Sequence, residues 1–226
     1  MAPVRALIFD MDGVLADTEP LFYIATRDAM APRPFTEAEY EQFIGTHGLE
    51  EWLTETHGFA PDFLRTRIMP AYYDAIAGGL PAMPGAVALL EAVRARDLAL
   101  AVASTSSHDS IERTLRAAGL RDYFPLVVSA SDVARGKPAP DIYLHTARLL
   151  NVPPEACIAI EDSVHGIVAA STAGMRVVQS RQATFVPPPH PSAHAVIETL
   201  EAFKHGWLDG EALGSACATS MPSSQA

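Results

Sequence analysis

The chain has 226 residues, of which 49% are hydrophobic and 19% are charged, and its formal net charge is −11. This composition is typical of a soluble globular protein that buries a substantial core in one domain or in a domain with an insertion. The acidic balance, without a basic stripe, argues against nucleic acid as a partner, and no apolar run reaches the roughly 20 residues that would span a membrane. We therefore expect a cytoplasmic protein, monomeric or weakly dimeric.

The predicted strands are short apolar runs that alternate with helical patterns along most of the chain. The first, Val4–Phe9, is typical of a strand buried on both faces. Alternating strands and helices require crossover connections, so the pattern predicts an α/β fold with a doubly wound, mostly parallel, Rossmann-like sheet. The later strand candidates are Leu98–Ala103, Leu126–Ser129 and Cys157–Ile160, with weaker ones at Arg176–Val178 and Ala195–Ile197. The helical patterns between them are Ala86–Ala95, Ser110–Ala118, Ile142–Leu150 and Val164–Ala173.

Residues 19–82 interrupt this alternation, because they contain helical patterns and no convincing strand. The segment ends near Pro81 and Pro84, where proline and glycine punctuate the chain. We therefore predict a core domain of residues 1–18 and 83–208, an inserted all-helical domain of residues 19–82, and a disordered Gly-, Ser- and Ala-rich tail of residues 209–226. The helical candidates of the insertion are Leu21–Met30, Glu37–Phe43, Glu50–Thr56 and Phe63–Ile76.

Two carboxylates follow the first predicted strand, where ligands bind in such folds. Asp10 and Asp12 both face the same crevice if the turn after the strand coils, and Gly13 permits a tight turn. Taken alone, this acidic run is equally compatible with a turn or capping role.

Hydroxyl groups and a lysine follow two further strands. Ser104 and Thr105 come after the second strand, where they either cap a helix or donate hydrogen bonds to a phosphate. Lys137 stands in a proline-flanked loop and is one of only two lysines in the chain, the other being Lys204. A loop lysine is usually a solvated surface residue, but this scarcity favours a specific role for Lys137.

A second acidic pair, Glu161 and Asp162, follows the strand candidate Cys157–Ile160. Adjacent carboxylates repel each other unless a cation compensates their charge. Together with Asp10 they form a plausible site for Mg²⁺, which prefers a few carboxylates, water and substrate phosphate oxygens.

Taken in chain order, the motifs at the four strand ends resemble those of the haloacid dehalogenase superfamily. More narrowly, they resemble those of its small-sugar phosphatases and β-phosphoglucomutases. The resemblance covers residues 4–204. It is carried by the following motifs: Asp10-Met11-Asp12-Gly13-Val14, Asp17-Thr18-Glu19-Pro20-Leu21, Ser104, Gly136-Lys137-Pro138, and Ile160-Glu161-Asp162-Ser163 with Gly166, Ala173 and Gly174.

The resemblance implies a nucleophile and an acid. Asp10 would attack phosphorus and become an aspartyl phosphate, and Asp12 would protonate the leaving oxygen and then deprotonate the attacking water. Ser104 and Lys137 would hold the transferring phosphoryl group.

The resemblance also implies a metal site and a cap. The side chains of Asp10 and Asp162 and the backbone carbonyl of Asp12 would bind Mg²⁺, with Glu161 supporting the metal directly or through water. Thr18 and Thr105 would lie with the substrate-binding residues. The helical insertion would close over a small phosphorylated metabolite and exclude water.

Chemistry narrows the choice within the superfamily. A halide leaves without a proton, so the acid Asp12 favours a phosphate ester over a haloacid as the substrate. Relatives that cleave phosphonates use a cap lysine that forms a Schiff base. No lysine occurs in residues 1–136, so phosphonate cleavage of this kind is excluded.

A phosphosugar mutase of the β-phosphoglucomutase type is the alternative activity. Such mutases supply an arginine in the cap loop that here reads Gly45-Thr46-His47-Gly48-Leu49, and a histidine where this chain has Phe22. Both departures favour a phosphatase, although Arg65 and Arg67 remain candidates for a second phosphate site. A non-catalytic binding module with the same fold is the remaining alternative, and the intact acidic and lysine motifs argue against it.

Overall fold

Six parallel strands form one sheet in the computed structural model, which describes residues 3–44 and 48–213. The strand order is β3-β2-β1-β4-β5-β6, so the first strand lies in the middle, and Ile8 pairs with Ala101 on one side and Ala159 on the other. All six predicted strands are present. The bounds are β1 Ala6–Phe9, β2 Ala99–Ser104, β3 Leu126–Ser129, β4 Cys157–Glu161, β5 Arg176–Ser180 and β6 Ala195–Ile197.

Two strands run one residue further than the sequence predicts. Ser104 is the last residue of β2 and pairs with Ser129, and Glu161 is the last residue of β4 and pairs with Gln179. A polar side chain ends the apolar pattern from which a strand is predicted. The backbone of Ser104 and Glu161 nevertheless continues the pairing with the neighbouring strand. Both side chains are therefore anchored by the sheet itself.

Helices cover both faces of the sheet, which confirms the doubly wound fold. The side chains of β1 alternate between the two faces, so that Leu7 and Phe9 join one apolar core and Ala6 and Ile8 join the other. Helices α5 and α6 pack on the first core, and α7 and α8 pack on the second. The bounds of these helices are α5 Ala86–Arg94, α6 His108–Ala117, α7 Asp141–Leu150 and α8 Val164–Thr172.

Four further helices lie between β1 and β2, and no strand occurs among the described residues of segment 19–82. They bury an apolar core of their own, whose largest fully buried members include Tyr40, Leu53 and Ile68. A π-helical turn, Leu64–Ile68, leads directly into the last of them. The bounds are α1 Glu19–Met30, α2 Glu37–Tyr40, α3 Leu49–Glu55 and α4 Met69–Ala77.

The topology defines where a ligand site belongs. Strands β2 and β3 lie on one side of β1 in the sheet, and β4, β5 and β6 lie on the other. Such a reversal of strand order is a topological switch point, which opens a crevice at the carboxyl ends of the strands. None of the described helices is long and apolar enough to cross a membrane.

Candidate active site

The turn after β1 brings the first carboxylate to the sheet edge. Asp10 continues the sheet pairing, since its N–H donates to the carbonyl of Ile160 at 2.9 Å. The chain then coils tightly, with Gly13 at φ +76°. A Cβ atom at Gly13 would lie 2.0 Å from Oδ2 of Asp162. Glycine therefore allows both the left-handed turn and the close approach of the second acidic motif.

Lys137 connects the two acidic motifs. Its Nζ donates to Oδ1 of Asp10 at 2.5 Å, to Oε1 of Glu161 at 2.6 Å and to the carbonyl of Ala103 at 3.0 Å. Burial, which leaves only 2% of the side chain exposed, disfavours the ammonium, but the two carboxylates outweigh it and raise the pKa of Lys137. Lys137 is therefore a permanently charged group beside Asp10.

Glu161 is fully buried, and hydrogen bonds engage both of its carboxylate oxygens. Besides Lys137, Oε1 accepts the hydroxyl of Tyr143 at 2.7 Å, while Oε2 accepts the N–H groups of Asp162 and Ser163 at 3.1 and 3.2 Å. Gly166 makes room for this carboxylate, because a Cβ atom there would lie 1.7 Å from Oε1. Glu161 thus anchors the lysine and the loop behind the site.

Tyr143 was not predicted as a site residue. It is fully buried on α7 and its ring lies 5.2 Å from Nζ of Lys137. The available signal was a tyrosine on the apolar face of a predicted helix, because a buried tyrosine needs a partner for its hydroxyl. The sequence could not show that this partner is Glu161.

The carboxylates of Asp10 and Asp162 fit a cation. One ligand oxygen from each of Asp10, Glu161 and Asp162 lies within 4.8 Å of the others. Burial raises the pKa of both aspartates well above the ordinary value. Lys137 opposes the pKa shift of Asp10, while the charges of Glu161 and Asp12 add to it. The charges of Asp10 and Glu161 add to the pKa shift of Asp162. None of the described residues donates a hydrogen bond to the Asp162 carboxylate. Oxygen ligands, buried charge and an unengaged carboxylate are together what a hard divalent cation requires.

Asp12 is held by hydroxyl groups from two sides. Thr18 donates to its Oδ1 at 2.6 Å, and Ser106 and Ser104 donate to its Oδ2 at 2.9 and 3.3 Å. Ser104 is fully buried and also accepts the N–H of Ser106 at 3.0 Å. Ser106 was missed by the sequence analysis, although the hydroxyl-rich run of residues 104–107 indicated the region. This network fixes the carboxyl group of Asp12 at the sheet edge.

These groups form the floor of a cavity of about 400 Å³, and the helices of segment 19–82 form its roof. Ser104 and Glu161 do not line the cavity and lie behind it, each bonded to a residue that does. The predicted site residues that line the cavity are Asp10, Asp12, Thr18, Thr105, Lys137 and Asp162.

The roof contributes one half-buried acid that was not among the predicted site residues. Glu19, the first residue of α1, lines the cavity and accepts a hydrogen bond from the hydroxyl of Tyr40. Burial raises the pKa of Glu19 to about 7; the Tyr40 hydrogen bond opposes this shift, and the negative charges of Asp12 and Asp17 add to it. The signal was present in the second motif, where Glu19 follows Thr18.

The structure describes some of the residues on which the choice between phosphatase and mutase was predicted to depend. Phe22 lines the cavity, whereas Arg65 and Arg67 are exposed and do not. Arg65 instead pairs with Asp62 at 3.2 Å. Residues 45–47, which belong to the loop compared with the arginine-bearing loop of the mutases, lie outside the described residues, so the prediction for that loop stays a prediction.

Residues 4–174 match the family model described as haloacid dehalogenase-like hydrolase. The chain is 36% identical over 180 residues to the phosphorylated carbohydrates phosphatase of Thermotoga maritima, covering 76% of this chain and 82% of that protein. It is 35% identical over 220 residues to a probable pseudouridine-5'-phosphatase of Drosophila melanogaster, covering 89% and 92%. Another relative, Protein SUPPRESSOR OF QUENCHING 1 of Arabidopsis thaliana, is 36% identical, but the chain spans only 18% of its length.

Among solved structures, the chain is similar to CbbY from Rhodobacter sphaeroides in complex with phosphate, with a TM-score of 0.78 and 28% identity over 88% of this chain and 96% of that one. The overall fold is thus shared with a protein whose solved structure contains phosphate. The chain belongs to the haloacid dehalogenase-like hydrolase family. The family match and the phosphatase relatives support a phosphoric monoester hydrolase.

Proposed function

We propose that this protein is a Mg²⁺-dependent phosphatase that hydrolyses a small phosphorylated metabolite through an aspartyl phosphate on Asp10. The observation that carries the proposal is the cavity floor, where Asp10 is held by Lys137 beside Asp12 and Asp162. A relative that acts on phosphorylated carbohydrates and one named for pseudouridine 5'-phosphate suggest that related chains share the chemistry and differ in the leaving group.

Each residue has a defined task in this reaction. The Asp10 oxygen that does not accept from Lys137 attacks phosphorus, and the bond from phosphorus to the leaving oxygen breaks. Lys137 neutralises charge on Asp10 and on the phosphoryl oxygens. Thr105 and Ser106 line the floor and can donate hydrogen bonds to those oxygens.

Asp12 moves the protons. Its protonated form gives a proton to the leaving alkoxide, and its carboxylate then takes one from the water that attacks the aspartyl phosphate. Ser106 and Thr18, whose hydroxyls now donate to Asp12, can rotate and accept from it instead, so the same network holds both protonation states.

The side chains of Asp10 and Asp162 would hold Mg²⁺, with the Asp12 carbonyl as a further ligand and Glu161 as support behind it. The cation would neutralise the phosphoryl oxygens and the buried carboxylates. The helical segment 19–82 would act as the cap that closes over the site and excludes water.

The test is hydrolysis of a panel of phosphomonoesters with Mg²⁺ and with EDTA. We expect release of inorganic phosphate with Mg²⁺ only, and no release by Asp10→Asn, because an amide cannot attack phosphorus. Full activity in EDTA, or more than about a hundredth of wild-type kcat in Asp10→Asn, would contradict the proposal.

A further assay separates hydrolysis from phosphoryl transfer to a sugar. We expect incubation with β-glucose 1-phosphate and a bisphosphate primer to yield inorganic phosphate and little glucose 6-phosphate, because none of the described cap residues that line the cavity is cationic. Rapid accumulation of glucose 6-phosphate would favour the mutase.

A further inference from the structure

The roof of the cavity differs in character from its floor. Eight side chains of segment 19–82 that line the cavity are aromatic or aliphatic, and the four aromatic ones are Phe22, Tyr40, Phe43 and Tyr72. The ring of Phe22 packs edge-on against Tyr72, with centroids 5.2 Å apart, and at a tilt against Tyr40, with centroids 6.2 Å apart. The leaving group of a phosphate bound at Asp10 therefore meets a wall of fixed aromatic rings.

The charged side chains of the roof are all negative among the described residues. Glu19 and Glu50 are its charged members. Glu19 is half-buried and its carboxylate accepts a hydrogen bond from Tyr40, whereas Glu50 is exposed at the start of α3. An anionic group on the leaving side of the substrate would face these carboxylates inside the cavity, where the surrounding protein screens repulsion less than bulk water does.

The arginines of segment 19–82 do not compensate this charge. None of the four lines the cavity. Arg27 pairs with Asp28 at 2.8 Å, and Arg33 donates to the carbonyl of His57 and lies 4.7 Å from the ring centroid of Phe59. Arg65 pairs with Asp62, and Arg67 is exposed. Lys137 is the cation at the floor, where it is already engaged by Asp10 and Glu161.

From this arrangement we infer the substrate class: phosphomonoesters whose leaving group is uncharged and has a flat apolar face, with a hydroxyl or N–H donor for Glu19. Substrates that carry a second phosphate or a carboxylate are rejected. The inference rests on the proposed phosphatase function and specifies its leaving group. The cavity of about 400 Å³ has room for such a group, since small-molecule sites begin near 300 Å³.

Two matched substrate pairs test this inference at pH 8 with Mg²⁺. Glucose 6-phosphate and 6-phosphogluconate both present a primary phosphate ester, but only 6-phosphogluconate carries a distant carboxylate. We expect kcat/KM to be at least about tenfold lower for 6-phosphogluconate. Ribose 5-phosphate and uridine 5'-monophosphate share the pentose 5-phosphate, and we expect the base to raise kcat/KM at least about tenfold through contact with the aromatic rings.

The variant Glu19→Gln assigns the repulsion to one side chain. We expect it to reduce the discrimination between glucose 6-phosphate and 6-phosphogluconate to less than about threefold, while Glu51→Gln, which removes an exposed charge outside the cavity, leaves it unchanged. Equal kcat/KM within either substrate pair, or unchanged discrimination in Glu19→Gln, would overturn the inference. Failure to hydrolyse any phosphomonoester, including p-nitrophenyl phosphate, would instead overturn the proposed function.

Discussion

At the scale of single residues, the least expected arrangement is the hydroxyl network around Asp12. Three hydroxyl groups converge on its two oxygens, from Thr18, Ser104 and Ser106. A carboxyl that must exchange a proton in each half of the reaction gains from partners that both donate and accept. The network therefore supports Asp12 as the acid and base of the site.

The acid role of Asp12 predicts a dependence on the leaving group. We expect Asp12→Ala to lower kcat/KM for alkyl phosphates by about 100-fold or more, but that for p-nitrophenyl phosphate much less, because p-nitrophenolate leaves without a proton. Glu51→Gln, which alters an exposed carboxylate outside the cavity, serves as the control. Equal losses for both substrates would remove Asp12 from the acid role.

Glu19 predicts a pH dependence of stability. Its pKa rises from 4.5 to about 7 on folding, mainly because of burial. Protonated Glu19 therefore stabilises the folded state at low pH, and this contribution is lost as the pH rises through about 7. Glutamine mimics the protonated form. We expect the advantage of Glu19→Gln in the free energy of unfolding to grow between pH 5 and pH 8 by about 1 to 3 kcal/mol.

Urea unfolding of wild type and Glu19→Gln in EDTA at the two pH values measures this difference. The exposed variant Glu51→Gln is the control and should show the same stability change as wild type. An advantage of Glu19→Gln that is equal at pH 5 and pH 8 would mean that Glu19 titrates normally in the folded protein.

At the scale of elements, the turn after β1 lies against Asp162, one of the carboxylates proposed to bind the metal. Gly13 and Gly119 have nearly the same positive φ, +76° and +68°, but a Cβ atom meets Asp162 at the first and nothing within 4 Å at the second. We expect both alanine variants to lose about 1 to 2 kcal/mol of stability through backbone strain. Only Gly13→Ala should also displace Asp162.

The comparison of these two variants isolates the effect of the contact between a Cβ atom at position 13 and Asp162. We expect Gly13→Ala to raise the Mg²⁺ concentration for half-maximal activity at least about tenfold, and Gly119→Ala to leave it unchanged. Titration of the activity with Mg²⁺ measures both. Equal Mg²⁺ requirements would show that Asp162 does not need its present position.

The loop after β5 holds the helical segment against the core. Thr184 donates to Oδ2 of Asp17 through its hydroxyl at 2.6 Å and its N–H at 3.1 Å, just before α1 begins. The ring of Phe185 then packs against Tyr23 and Tyr40, with centroids 6.4 and 5.7 Å apart. Phe185 therefore supports the tyrosine that bonds to Glu19.

Removal of this contact should loosen the cap. We expect Phe185→Ala to raise KM for a sugar phosphate by about two- to tenfold and to speed proteolysis within residues 19–82, because local opening costs less when apolar contacts are lost. The neighbouring Val186→Ala is the matched control. Identical KM and cleavage rates in the two variants would contradict a role of Phe185 in closure.

At the scale of the whole molecule, the sheet and its helices could be predicted because buried parallel strands leave apolar runs that the sequence shows directly. The carboxyl ends of parallel strands lie at one edge of the sheet. The predicted topology therefore also indicated that Asp10, Lys137 and Asp162 lie close together. Tyr143 and Ser106 could not be selected, because their roles depend on which buried carboxylate each hydroxyl reaches. The chemistry of the roof depends likewise on how helices separated along the chain pack together.

The most direct test of the proposed mechanism is the fate of the phosphoryl group in Asp12→Ala. With p-nitrophenyl phosphate and Mg²⁺, the first step needs no acid, but the second lacks its base. We predict a burst of p-nitrophenolate equal to the enzyme concentration, together with one phosphoryl group on Asp10 in acid-quenched protein, located by peptide mass spectrometry. Steady release of p-nitrophenolate without a burst and without a phosphoryl group on Asp10 would contradict the mechanism.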